Sequence, residues 1–164
     1  MKTVYLETTF ISYLVSEPSR DVIVAGHQQI TREWWSHRRP VFTCYVSQEL
    51  LDEAGQGDAG QVVKRLAIAQ ALPKLPITPA VARLADAMVR TGAVPRKAAR
   101  DAVHVAVAAV AAVDYVLTWN CKHIANREVL PRIEAVVRAQ GWKMPEICTP
   151  EELMGDEWTG GELK

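Results

Sequence analysis

The chain has no Cys-x-x-Cys pair, and its three cysteines, Cys44, Cys121 and Cys148, are odd in number and widely spaced. That pattern argues against a disulfide framework and against a thiolate zinc site, and it fits a reducing compartment. Long apolar runs are also missing. The longest, Val105 to Val113, is far too short to span a bilayer. MKTVYLETTF at the start has one lysine but neither a long apolar region nor a small-residue cleavage site, so no signal peptide is expected. Nor is there an excess of charge: 19 basic and 19 acidic residues cancel, so any nucleic-acid binding depends on a local basic patch. Neither a glycine-rich phosphate loop nor a nucleophile elbow is found, despite VAGH at 24–27, which weighs against a small-molecule or phosphoryl-transfer α/β enzyme. What remains is a soluble, cytoplasmic chain of 164 residues, 49% hydrophobic, that fits one domain without repeats or linkers.

Strand and helix patterns alternate along it. KTVYLE (2–7) reads as a strand, 20–37 as a helix that Ser19 could cap, and VFTCYV (41–46) as a second strand. Ser47 then caps a short helix, QELLDEA, that Gly55 stops, and Asp58 caps a helix from Ala59 to about Ala71. LPKLPI (72–77) is a weak strand that Pro73 and Pro76 confine to an edge. Thr78 and Pro79 start the next helix and Gly92 ends it, while Pro95 opens a helix that closes near Val113. DYVLTW (114–119) is a strand, 121–140 a helical stretch with Pro131 as a candidate kink or division, and MPEIC a last strand. Thr149, Pro150 and Glu152 form a capping box for a short terminal helix, so a domain at 1–153 is followed by a polar tail at 154–164. Such alternation implies βαβ units, a mostly parallel sheet with helices on both faces, and ligands at the carboxyl ends of the strands.

One residue on that edge is hard to explain as scaffold. From Ala102 to Val113 every residue is Ala or Val except His104, and Asp101 falls on the stripe of Val105, Ala108 and Ala112. A buried carboxylate must be neutralised, paired or bound to a metal. Glu7, Glu53 and Asn120 also adjoin apolar sequence near strand ends, although Glu49 and Asp52 compete with Glu53, and Asn120 taken alone reads as the N-cap of a helix from Cys121 ahead of a ligand. His104 reads as a satisfied core histidine. If the four converge, like charges about 4 Å apart repel by about 4 kcal/mol at an effective dielectric near 20, so a cation or shared protons must offset them. Hard oxygen donors without a Cys or His cluster favour Mg²⁺ or Mn²⁺, which activate water and stabilise charge on a phosphate during in-line displacement.

The order LETT, VSQELLDE, KAARDAVHVAVAA, DYVLTWN and ICTPEEL resembles the PIN-domain nucleases, in particular the toxins of type II toxin–antitoxin systems of the VapC kind. The resemblance covers residues 2–153. It implies a three-layer α/β fold with about five strands in the order 3-2-1-4-5, and a Mg²⁺- or Mn²⁺-dependent endoribonuclease whose metal ligands and catalytic residues are Glu7, Glu53, Asp101 and Asn120. It also places Thr8, Ser12 and Thr118 beside the metal, with a small antitoxin and a second copy of the chain as partners. Two positions depart from the family pattern, because Glu7 and Asn120 stand where Asp is usual; the second exchange removes a charge.

Basic residues that could position RNA by its phosphates are Arg96, Lys97 and Arg100, just before Asp101, and Lys122, just after Asn120; Arg32, Arg38 and Arg39 form another group. Trp34 and Trp35 could stack bases, with helix packing the better reading for at least one. The rival to a nuclease is a PIN-fold module, with its metal site decayed, that binds RNA or protein without cleaving.

Overall fold

The structure is a computed structural model, and residues 1–157 are described. A five-stranded, all-parallel sheet runs in the order β3-β2-β1-β4-β5. Its strands are β1 (Lys2–Leu6), β2 (Phe42–Ser47), β3 (Lys74–Leu75), β4 (Tyr115–Leu117) and β5 (Glu146–Cys148). The two-residue alternation of β1 sends Val4 and Leu6 into one core and Tyr5 into the other. In β2 the same rule separates Cys44 and Val46 from Tyr45.

Helices cover both faces. Against the Val4–Leu6 face lie α1 (Thr8–Val15), α2 (Val22–His37), α3 (Gln48–Ala54) and α4 (Ala59–Ala69), burying Phe10, Ile11, Trp34, Leu50 and Ala69. Against the Tyr5 face lie α5 (Pro79–Arg90), α6 (Ala99–Val110) and α7 (Leu130–Ala139). In α5 the buried positions Val81, Leu84, Ala85 and Met88 follow the helical stripe. Nearly all of α6 from Ala102 to Ala109 is buried, as its Ala and Val run implies. Register places Leu6 beside Leu117 and Ser47 beside Leu75, so Glu7, Ser47 and Thr118 emerge close together at the carboxyl edge.

Several boundaries differ from the sequence pattern, for identifiable reasons. Helix α1 is absent from the sequence reading because TTFISYLV is rich in β-branched residues; Glu7 caps it by accepting from the Thr9 N–H. Helix α2 starts at Val22 because Asp21, not Ser19, receives the Ile23 and Val24 N–H groups. The stretch after Asn120 begins in turns, and Pro131 sits in the first turn of α7 rather than kinking it. Only Lys74 and Leu75 of 72–77 form a strand. Thr149 and Glu152 exchange reciprocal hydrogen bonds as a capping box ahead of a single 3₁₀ turn, Glu151–Leu153. Met154, assigned to the tail, is buried in the Trp34 core; residues 158–164 of that tail lie outside the described residues.

Trp34 packs edge-on to Phe10 and stacks with Phe42, and its indole N–H donates to the Leu153 carbonyl at 3.1 Å. It is a packing residue. Trp35 is half-buried, with the Arg39 guanidinium 4.4 Å above its ring. The three cysteines are free thiols. No helix among the described residues is long and apolar enough to cross a membrane.

Asp114 ties the start of β1 to the strand beside it. Its carboxylate accepts from the Thr3 N–H at 2.8 Å, the Thr3 hydroxyl at 3.0 Å and the Lys2 ammonium at 3.1 Å. These bonds, the Thr3 backbone bond foremost, hold its pKa down at about 2, below the ordinary 3.8. A depressed carboxylate contributes stability that is present above the unfolded pKa and lost as pH falls through the folded one. Acid titration followed by circular dichroism is therefore expected to show a component of stability lost between about pH 4 and about pH 2 that Asp114→Asn lacks.

Candidate active site

The carboxyl edge gathers three acids, each held by a different set of donors. Glu7 leaves β1 and is 2% exposed. All of its recorded bonds fall on one oxygen, Oε2, which accepts from the Thr9 N–H, the Thr9 hydroxyl and, at 2.8 Å, the Thr118 hydroxyl. The two hydroxyls in turn accept from the backbone N–H groups of Trp119 and Asn120, both at 2.9 Å. One carboxylate thus fixes the start of α1 and the exit of β4. Its second oxygen, Oε1, receives no hydrogen bond from the described residues, and it is not among their orphaned buried atoms, which are Arg38 Nε, Glu49 Oε1 and Gln61 Oε1.

Glu53, in the last turn of α3, repeats the pattern. Its Oε1 accepts from the Thr8 hydroxyl at 3.0 Å and from the His104 imidazole, while Oε2 has no protein partner among the described residues. Burial pushes the Glu53 carboxyl upward, but the His104 hydrogen bond and charge, with help from Thr8 and Arg100, outweigh it and leave the pKa lowered. Conversely, burial alone would depress His104, yet its bond to Glu53 and the charges of Glu7 and Glu53 raise its pKa. The two shifts describe one stable pair.

Asp101, in the first turn of α6, is only part-buried. Burial raises its carboxyl pKa; a hydrogen bond from the Asn120 side chain opposes this, and the nearby charge of Glu7 adds to it. Asn120 thus lies beside Asp101 and favours its ionised form. Its Oδ1 accepts from the His123 N–H at 3.1 Å, capping the turn that follows, as the N-cap reading has it.

Among the remaining residues singled out in the sequence, Thr8 and Thr118 touch Glu53 and Glu7 directly. Ser12 lies one turn further along α1, where its backbone carbonyl accepts from Ser16. Arg96, Lys97 and Lys122 are exposed, and Arg100 sits 3.4 Å from Glu49. Glu49 is thus the Arg100 partner, with a carboxyl raised by burial, and Glu53 is the acid of α3 that bonds to Thr8 and His104.

Two participants escaped the sequence reading. Thr9 supplies two of the three donors to Glu7, a role signalled only by its place two residues after an N-cap. His104 is buried as expected for a core histidine, but it is also the partner of Glu53.

No protein-family model matches the chain, and no curated protein matches it. The geometry therefore carries the reading alone.

A divalent cation suits the donors present. Mg²⁺ is held by one or two carboxylates with several waters rather than by an all-protein cage. Asp101 lies close enough to Glu7 for their charges to interact, and among the described residues no group of three His, Cys, Asp or Glu side chains is arranged to hold a metal ion. Thr118→Val is expected to cost about 1–3 kcal/mol, because the isosteric change leaves the buried Asn120 N–H without its acceptor and removes a donor from Glu7. Urea denaturation checks it as a lower midpoint at unchanged slope.

Proposed function

We propose that the chain is a metal-dependent endoribonuclease that hydrolyses RNA phosphodiester bonds. The observation that carries this is the arrangement of Glu7 and Glu53, each anchored through one carboxylate oxygen with the other left free, beside a part-buried Asp101 at the carboxyl edge of a parallel sheet. Asp101 and Glu7 hold Mg²⁺ or Mn²⁺; Asn120 orients Asp101, with the second lone pair of its Oδ1 available as a further ligand. Glu53 binds the ion or orients the attacking water through Oε2. The bound cation supplies a water of lowered pKa and neutralises charge developing on the phosphate. Arg96, Lys97 and Lys122, exposed and without an ion pair among the described residues, meet RNA phosphates, and Arg100 joins them from its place beside Glu49.

The resemblance to PIN-domain toxins extends the proposal to a cytoplasmic toxin, restrained by a small antitoxin and paired with a second copy of itself. A second reading, an RNA- or protein-binding module of the same fold without catalysis, is favoured by the lack of any three convergent metal-ligating side chains among the described residues. Calorimetric titration with Mn²⁺, together with an RNA panel incubated with Mg²⁺, Mn²⁺ or EDTA, separates the two. Saturable Mn²⁺ binding and cleavage abolished by EDTA support the nuclease; RNA binding without either supports the module.

A further inference from the structure

The acid that faces the cation from α3 is gripped by a chain of side chains with no contact to solvent. Ser47 Oγ lies 2.7 Å from the Tyr5 hydroxyl, which lies 2.6 Å from His104 Nδ1, and His104 Nε2 meets Glu53 Oε1. Ser47, Tyr5 and His104 are each 0% exposed. Ser47 Oγ accepts from the Leu50 N–H at 3.3 Å, and His104 gives its Nε2 proton to Glu53; neutral, it accepts the Tyr5 hydroxyl proton at Nδ1 while the serine donates to the tyrosine, and protonated it donates from Nδ1 to the tyrosine, which donates to the serine. Every polar atom of the chain is then satisfied. Burial pushes the Tyr5 hydroxyl far above its ordinary range, so it stays a neutral phenol.

A phenylalanine–leucine pair would fill the same space between β1 and α6 without requiring matched hydrogen bonds, and buried polar networks fix a unique geometry more than they add stability. What this network fixes is α3. Ser47 caps its first turn and His104 holds Glu53 in its last, so both ends are tied to Tyr5, which β1 sends to this face. A glutamate carries three side-chain torsions, and a catalytic carboxylate must be held to about 0.5 Å. The grip on Oε1 supplies that restraint and leaves Oε2 unspent.

We propose that Tyr5 and His104 are positioning residues, which clamp Glu53 by Oε1 so that Oε2 serves the cation or the attacking water. The proposal rests on the metal-dependent nuclease reading and adds residues that touch neither metal nor RNA.

Tyr5→Phe tests it, since one oxygen is removed and the ring that packs against His104 is kept. Mn²⁺ affinity by calorimetry, kcat and KM on an RNA that the unaltered protein cleaves, and the imidazole ¹⁵N resonances of His104 are measured together. The expected result is a 10–100-fold loss in kcat or in Mn²⁺ affinity, the range for removing an outer hydrogen-bond partner of a ligand, with KM unchanged and the His104 resonances displaced. In a Glu53→Gln background the same change is expected to cause no additional loss, because the clamp then has nothing to position. His104→Gln, which keeps an N–H donor for Oε1, is expected to retain more activity than His104→Leu. The proposal is overturned if Tyr5→Phe lowers only the melting temperature, if its effect adds in full to that of Glu53→Gln, or if His104→Gln and His104→Leu are equally impaired. Full activity in Glu53→Gln alongside an inactive Asp101 variant would overturn the clamp and spare the nuclease reading. Absence of both Mn²⁺ binding and cleavage in the unaltered protein would overturn both.

Discussion

Asp101→Ala is expected to lower RNA cleavage by about 100-fold or more, the scale on which one preorganised electrostatic contributor to a transition state acts. Asp101 is the acid least engaged by the protein. Glu7 receives three hydrogen bonds and Glu53 two, whereas the one opposing Asp101's burial comes from the Asn120 side chain. Its carboxyl pKa is raised, so the folded state disfavours the ionised form, and at neutral pH that charge subtracts from stability. The variant is therefore expected to melt no lower than the unaltered protein in the absence of metal while losing Mn²⁺ binding in calorimetry. Loss of cleavage with retained thermal stability separates a functional acid from a structural one. Cleavage equal to that of the unaltered protein sinks the assignment of Asp101, and with it the proposed reaction.

Trp34→Ala is expected to produce the largest loss of stability, about 3–5 kcal/mol, the usual cost of truncating a buried aromatic to alanine. The ring is fully buried, packed between Phe10 of α1 and Phe42 of β2, and its N–H satisfies the carbonyl of Leu153 near the end of the described chain. The substitution opens a cavity and strips a hydrogen bond at once. Domains of this size have about 5–15 kcal/mol in total, so the variant is expected to be partly unfolded well below the melting temperature of the unaltered protein. Trp34→Phe restores most of the packing and leaves the Leu153 carbonyl unpaired, which is expected to cost about 1–3 kcal/mol. Urea denaturation of the pair divides the packing contribution from that of the hydrogen bond. Equal midpoints for Trp34→Ala and the unaltered protein would show that the ring is not part of the core.

The sheet was legible in the sequence because its signals are local and agree with one another. Val and aromatic alternation in β1 and β2, the prolines at 73 and 76, and the Thr78–Pro79 start each carry their own physical reason, and the strand order followed from the resemblance. Helix α1 was not legible. Its residues favour a strand taken singly, and its cap is a glutamate, outside the usual serine, threonine, aspartate and asparagine, so only the packing of Phe10 and Ile11 under the sheet makes it helical. In the site, the acids could be read from position, and Thr8 and Thr118 from their place beside them. The partners of those acids could not be, since Thr9 acts through a turn that the sequence hid and His104 meets a glutamate 51 residues away. Burial of His104 followed from the run of Ala and Val around it; its direction did not.

Glu7 joins two jobs in a single carboxylate, for Oε2 starts a helix and stitches β4 to it while Oε1 takes no hydrogen bond from the described residues. A library that scores every substitution by RNA cleavage, the proposed activity, would treat position 7 differently from position 101. Variants at 101 would be abundant and inert. Those at 7 would be scarce as well as inert, because cellular quality control would remove them before their chemistry could be judged.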